Sequence, residues 1–271
     1  MEERRWEIYN INNMNKIRKG IILAGGKGTR LKPLTCVVSK QLLPIYNKPM
    51  IYYPLSILLN IDIKDILIIS DPYSLPLYKK LLGNGKKFGV KISYKVQKSA
   101  NGIAAAYILG KNFLNNCPSV LILGDNIFYG SNLLNQFKSA AQSKNSSIFT
   151  YEVNDPSSYG VLKTNKKKLY IVEKPTNSKS KKAVVGIYFL DSDAPKFAAK
   201  LKPSKRNELE ITDLNNLYLK KITTKVVNLD KGTAWLDTGS FEGLLNASNF
   251  VRTIEVRQGI DIAPLKNITN S

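Results

Sequence analysis

Short runs of branched aliphatic residues recur along this chain, spaced widely enough for a helix between them, and that alternation limits its fold more than any other feature. The runs occupy residues 20–24, 65–70, 90–96, 120–123 and 147–153. Between them lie apolar or amphipathic stretches of helical length at 50–60, 73–82, 102–113 and 133–143. Strands that are apolar on both faces, alternating with helices, predict a parallel sheet covered on each side. The expected class is α/β, a doubly wound, mostly parallel, Rossmann-like sheet with helices on both faces. After residue 154 the pattern loosens. Residues 160–164 and 169–172 read as a hairpin, 183–190 as a buried strand, and 210–220 and 240–257 as helices, the last entered by Ser240. The second half is expected to form a smaller β-rich insertion within one catalytic domain spanning 19–259, preceded by a polar extension (1–18) and followed by a short tail (260–271).

Several chemistries are excluded at once. The chain contains no histidine, which removes Ser–His and Cys–His nucleophile pairs and any His-ligated metal. Its two cysteines, Cys36 and Cys117, have no metal-ligand spacing. The longest apolar run, 51–61, is broken by Pro54, Ser56 and Asn60, and the first residues lack the apolar centre of a signal peptide, so no membrane association and a cytoplasmic location are expected. The net charge of +21 draws anions. The lysine runs at 166–168 and 179–182 have no interleaved aromatic residues and read as solvated turns, so nucleic acid is not an expected partner.

Ligands of an open parallel sheet gather beyond the carboxyl ends of its strands, and three such ends carry unusual polar groups. The first is GIILAGGKGTRLKPLT, residues 20–35, a buried strand running into glycines and the cations Lys27 and Arg30, with Lys40 and Gln41 shortly after. It is neither GxxxxGK[ST], because Gly26 stands where lysine is needed, nor GxGxxG, because Leu31 replaces the third glycine. The second is LGDNIFYG (123–130), which delivers Asp125, and the third is AWLDTGS (234–240), which delivers Asp237. Taken singly, the glycines could be a tight turn, Asp125 an ordinary N-cap and Asp237 the cap of the helix near Ser240. Together, two acids and a cation-rich glycine turn form the combination that a divalent ion with a polyphosphate requires.

With these stretches interleaved in order with SKQLLPIYNKPMIYYPLS, ILIIS, YGV, VEKP and ELEITDLN, and followed by ASNF…IEVRQG, the chain resembles the sugar-1-phosphate nucleotidylyltransferases, and within them the thymidylyl branch. The resemblance covers residues 20 to about 259 and implies the nucleotide-diphospho-sugar transferase fold with a sugar-binding insertion. It implies transfer of a thymidylyl group from dTTP to glucose 1-phosphate, giving dTDP-glucose and pyrophosphate as a first step towards dTDP-rhamnose or related deoxysugars. A uridylyl- or other nucleotidylyl-transferring enzyme and a catalytically silent nucleotide-sugar-binding regulator are the alternatives. By the same resemblance, Asp125 and Asp237 hold Mg²⁺, and Gly25, Gly26, Gly28 and Thr29 wrap the triphosphate. Arg30 and Lys40 neutralise the triphosphate and the departing pyrophosphate, with Gln41 either assisting or structural. Gln97 reads the base beside Gly102. Gly160, Glu173, Lys174, Val184 and Arg206 bind the sugar phosphate, Lys174 also serving catalysis. Relatives commonly have aspartate, leucine and glutamine where this chain has Asn101, Ile103 and Ala105. They generally assemble as dimers or dimers of dimers, so a homo-oligomer is expected. They also continue beyond the helix ending near Arg257, so a weakened regulatory nucleotide site is expected here.

Overall fold

The computed structural model describes residues 17–26, 28–221 and 223–265. Most of the expected extension, Lys27 and the end of the tail lie outside the described residues. The first half contains β1 (Lys19–Leu23), the small hairpin β2 (Pro44–Ile45) and β3 (Lys48–Pro49), α1 (Tyr52–Asn60), β4 (Asp65–Ser70), α2 (Leu75–Leu82) and β5 (Lys91–Val96). After these come α3 (Ala105–Leu109), α4 (Lys111–Leu114), β6 (Ser119–Leu123), β7 (Asn126–Tyr129), α5 (Leu133–Gln142) and β8 (Ser147–Glu152). The second half adds β9 (Gly160–Asn165), β10 (Lys168–Glu173), β11 (Lys182–Leu190), α6 (Ala194–Ala198), α7 (Ile211–Leu219), β12 (Lys225–Asn228), β13 (Ala234–Asp237) and α8 (Phe241–Gln258).

The main sheet runs β10-β9-β11-β6-β1-β4-β5, with β8 on β11 and β12 on β8. Its nucleus, β6-β1-β4-β5, is parallel as expected. From β11 outward the ladders β11–β6, β11–β8, β11–β9 and β10–β9 are antiparallel, which makes the second half the β-rich insertion. The two-residue period of a strand explains the continuous apolar runs: Ile22, Ile66, Ile68 and Ile122 enter the core on one face, and Ile21, Leu23, Leu67 and Leu121 enter the core on the other. Each such side chain contributes about 1.5–3 kcal/mol by leaving water. The expected helix over 102–113 breaks at Gly110, whose bare Cα lies against the sheet; a Cβ there would come within 3.0 Å of Ile21 Cδ1.

A third apolar cluster, including Ile45, Met50, Ile127, Ala247 and Val251, fastens α8 to the hairpin and to β7. That helix is capped as its sequence predicts. Ser240 Oγ accepts the Gly243 N–H at 3.0 Å, Arg257 lies in the last turn, and Gly259 ends the helix with φ 62°. Two short strands that periodicity does not reveal, β7 and β13, pair antiparallel and set Asp237 opposite Asn126. No helix among the described residues is long and apolar enough to cross a membrane.

Candidate active site

β1 and β6 are parallel neighbours, and β4 lies on the other side of β1, so the chain crosses to opposite sides of the sheet at their carboxyl ends. The glycine turn leaves β1 at that point. Gly26 (φ 111°) and Gly28 (φ 55°) adopt backbone conformations that a side chain disfavours, and Thr35 Oγ1 ties the turn by donating to the Gly28 carbonyl at 2.7 Å. Gly25 lies so close to Gln97 that a Cβ would fall 2.6 Å from its Oε1. Gln97 Nε2 donates to Asn101 Oδ1 at 2.8 Å, which fixes the amide with its second N–H and its carbonyl still available.

At the end of β6, Gly124 binds the Leu23 carbonyl through its N–H, and Asp125 follows. The Lys40 ammonium pairs directly with Asp125 Oδ2, and Asn126 Nδ2 donates to Oδ1 at 3.0 Å. Burial pushes the Asp125 carboxyl up, but Lys40 and these hydrogen bonds outweigh it and hold the group below the usual carboxylate range. Asp237 is held by the Gly239 N–H at 3.0 Å. Burial, and then the charge of Asp125, push it above the usual range, with Lys40 and Arg30 opposing. The Arg30 guanidinium lies over Gly239, where a Cβ would fall 2.5 Å from Nη2. Neither acid acts as the N-cap of α8, because Ser240 has that role.

Two cavities lie on either side of the Lys40–Asp125 pair. One, of about 530 Å³, is lined by Gly25, Gly26, Lys40 and Gln97, together with Asp71, Tyr73 and Val37. The other, of about 230 Å³, is lined by Arg30, Asp125 and Asp237 and by four expected sugar-phosphate residues, Gly160, Glu173, Lys174 and Val184. Gly28, Thr29, Gln41, Gly102 and Arg206 line neither. Gln41 is buried, accepting from Ser39 Oγ at 2.8 Å and packing under Gly124. Gly102 (φ 99°) is pressed against the Leu209 backbone, which accounts for a glycine there without a ligand. Arg206 stands behind the second cavity, binding Glu210 at 2.8 Å and Glu173 at 3.2 Å, while Thr212 donates to the other oxygen of Glu173.

Sequence reasoning missed several lining residues. Tyr73, 90% exposed, stands at the first cavity. Asn126, Tyr159, Thr212, Asn215 and Trp235 line the second. Asn126 and Trp235 carried a readable signal: one follows Asp125, and the other lies two residues before Asp237 on the same face of a strand. Tyr73 follows a turn in which Asp71 accepts the N–H groups of Tyr73 and Ser74, and nothing in the sequence sets it apart.

The donor set fits a hard divalent ion. Asp125 and Asp237 lie together in the second cavity, and burial and then the charge of Asp125 raise Asp237. Among the described residues no third acid, cysteine or histidine completes a protein cage. Magnesium uses one or two carboxylates and takes its remaining oxygens from phosphate and water.

A parallel sheet with a glycine turn, a paired-acid cleft and fixed cations at its carboxyl edge defines a phosphate-handling transferase. The chain belongs to the nucleotidyl transferase family, whose model matches residues 19–254. It is 51% identical over 248 residues to the glucose-1-phosphate thymidylyltransferase of Xanthomonas campestris pv. campestris, covering 90% of this chain and 84% of that one. It is 47% identical over 247 residues to the enzyme of that name from Mycobacterium tuberculosis, covering 90% and 86%. A solved Bacillus anthracis structure bearing the same enzyme name, in complex with sucrose, superposes with a TM-score of 0.79 at 41% identity, over 86% of this chain and 95% of that one. A UDP-glucose pyrophosphorylase solved with UDP-glucose gives 0.75 at 26% identity, over 88% and 99%.

Proposed function

We propose that this protein is a glucose-1-phosphate thymidylyltransferase, joining dTTP and glucose 1-phosphate to give dTDP-glucose and pyrophosphate. The observation that carries the reading is the Lys40–Asp125 pair, which joins a lining residue of the larger cavity to one of the smaller, where Asp237 and Arg30 also lie. The larger cavity takes the nucleotide and the smaller one the sugar phosphate. In the larger, Gln97 offers an acceptor and a donor to the N–H and C=O edge of a pyrimidine, and the bare backbone at Gly25 and Gly26 lets the phosphates approach. In the smaller, Glu173, held by Thr212 and Arg206, accepts from sugar hydroxyls, and Lys174 neutralises the sugar phosphate.

No protein base is needed. A phosphate monoester with second pKa near ~6 is already mostly ionised at neutral pH. One of its oxygens attacks the α-phosphorus in line. A new P–O bond forms, the bond to the β-phosphate oxygen breaks, and the electron pair leaves with pyrophosphate. Arg30 and Lys40 stabilise the charge that builds on the leaving group. Asp125 and Asp237 would hold Mg²⁺, which when bound supplies Lewis-acid charge neutralisation at the phosphates. The match over residues 19–254 supports 19–259 as the catalytic unit. The exposed Leu245 and Val256 on α8 support a homo-oligomer.

The test is pyrophosphate release from a panel of nucleoside triphosphates and sugar 1-phosphates. The reading expects the highest rate with dTTP and glucose 1-phosphate, a requirement for Mg²⁺, and near-abolition in Asp125→Asn. A clear preference for UTP would replace thymidylyl by uridylyl transfer, and an unaffected Asp125→Asn rate would remove Asp125 from the metal site.

A further inference from the structure

Two neighbouring asparagines on α7 are used in opposite ways. Asn216 docks the helix on β10 with its whole amide: Oδ1 accepts the Ile171 N–H at 2.7 Å and Nδ2 donates to the Ile171 carbonyl at 2.9 Å. Asn215 lies 1% exposed among Ile211, Leu214 and Tyr218, yet neither its Oδ1 nor its Nδ2 has a hydrogen-bond partner among the described residues. A buried amide without partners carries a desolvation penalty that an aliphatic residue of similar size avoids. The fold gains nothing from that amide, since Asn216 already anchors the helix.

The position of Asn215 accounts for the amide. It lines the smaller cavity with Glu173 and Gly160, one helical turn after Thr212, which donates to Glu173. The cavity's three carboxylates only accept hydrogen bonds and its cations only donate them, while its other amide, Asn126, is already engaged by Asp125, Gly186 and Trp235, and the Thr212 hydroxyl donates to Glu173. An amide presents one of each side by side. It can donate to one oxygen of a polyol and accept from the next, a pairing that depends on the hydroxyls' presence and relative orientation.

We infer that Asn215 is a specificity-determining residue of the sugar subsite, satisfied only when a hydroxyl of the hexose ring reaches its amide. The inference rests on the reading of the smaller cavity as the sugar-phosphate site. A hydroxyl that reaches the amide directly and one that reaches it through a bridging water give the same energetic signature.

The experiment measures kcat/KM for glucose 1-phosphate and for mono-deoxy analogues lacking one ring or exocyclic hydroxyl each. It compares wild type, Asn215→Ala and Asn215→Leu, and follows the KM for dTTP alongside. One deoxy analogue is expected to lose about tenfold on the wild-type enzyme. In both variants that loss should shrink to within about twofold, with the KM for dTTP unchanged. The leucine variant should unfold at an equal or higher temperature, because the unpaired amide is gone, so lost discrimination cannot be traced to lost folding. An unchanged deoxy penalty in Asn215→Leu overturns the inference. So does a loss spread evenly over all sugars with a parallel rise in the KM for dTTP, which marks a purely structural residue. Wild-type protein that turns over no sugar 1-phosphate overturns the underlying functional reading and the inference with it, whereas normal turnover without the coupling overturns the inference alone.

Discussion

Replacing Asn126 by leucine should separate the scaffold of the acid pair from its chemistry. Asn126 is 4% exposed and makes three hydrogen bonds. Its Oδ1 accepts the Gly186 N–H at 3.1 Å and Trp235 Nε1–H at 2.7 Å, and its Nδ2 donates to Asp125 Oδ1 at 3.0 Å. The register of β11 on β8 shifts between Val184 and Tyr188, and Gly186 lies within that shift. Its backbone is so close to Asn126 that a Cβ would fall 2.5 Å from Oδ1. Leucine keeps the volume but leaves the buried Gly186 N–H without an acceptor, at about 1–3 kcal/mol. The half-buried Trp235 N–H can regain water and costs less. Asp125 loses a donor worth about 1 kcal/mol or more, because the acceptor is charged. The sum is about 2–4 kcal/mol, or a fall in Tm of roughly 10 °C at about 2–4 °C per kcal/mol. Chemical denaturation with matched m-values is the assay. Asn126→Asp is the companion: it retains the acceptors for Gly186 and Trp235 but sets a further carboxylate beside Asp125, so stability should change less while pyrophosphate release falls more. A loss below about 1 kcal/mol in Asn126→Leu would refute the reasoning that an unpaired buried N–H sets the cost.

Other perturbations test other parts of the site. With metal chelated, Asp237→Asn should bind dTTP more tightly than wild type in a calorimetric titration, because one repelling carboxylate is gone, while turnover with Mg²⁺ drops by about 10²–10³-fold; weaker metal-free binding would count against the repulsion. Tyr73→Ala should raise the KM for dTTP about tenfold or more, through loss of a stacking surface, and leave that for glucose 1-phosphate unchanged; Tyr73→Phe should restore it. Asp191 provides a pH test away from the cleft: burial raises its carboxyl, but the Tyr218 hydroxyl at 2.6 Å and the Lys221 ammonium at 3.0 Å outweigh burial and hold it below its ordinary value. A lowered folded-state pKa gives stability that is present above the unfolded pKa and disappears as pH falls through the folded one. Unfolding free energy should therefore decline below about pH 4, and Asp191→Asn should remove that part of the slope.

The parallel nucleus was legible because its strands are buried on both faces and so read as unbroken aliphatic runs: β4 fits the expectation residue for residue, and β1 and β6 start one residue earlier than expected. Ser240 was legible as a cap because capping is a local interaction. The β7–β13 ladder was not, since NIFY and AWLD are each four residues long and pair across more than a hundred positions. Without that ladder the sequence places Asp125 and Asp237 only at two strand ends that gather ligands, and their assignment to one metal site rests on the family resemblance. The same limit applies to side chains whose neighbours are distant in sequence. Gln41 reads as a loop amide but is buried under Gly124, and Arg206, expected on the sugar phosphate, is engaged by Glu210 and Glu173. Asn215 and Asn216 are adjacent and chemically identical, so only the docking of α7 on β10 distinguishes the anchor from the unpaired amide.

Charge distribution links composition to the proposed chemistry. The chain carries a net +21, yet the smaller cavity is lined by Asp125, Glu173 and Asp237 against Arg30 and Lys174, and the Lys40 at its edge is already paired with Asp125. Most of the positive excess therefore lies outside the place where two polyanions must be brought together. A distributed basic field raises the encounter rate of anionic substrates and weakens with salt. It does little for the transition state, which responds to fixed charges a few ångströms from the phosphorus. Close to the reacting atoms the walls bear more acid than base, so a triphosphate entering without a cation meets repulsion from Asp125 and Asp237. Held by Asp125 and Asp237, a divalent ion would reverse that sign, and on the proposed reading productive binding of the nucleotide would be conditional on it. With the sugar phosphate already ionised, positioning and neutralisation remain as the tasks of the protein, and neither requires a histidine.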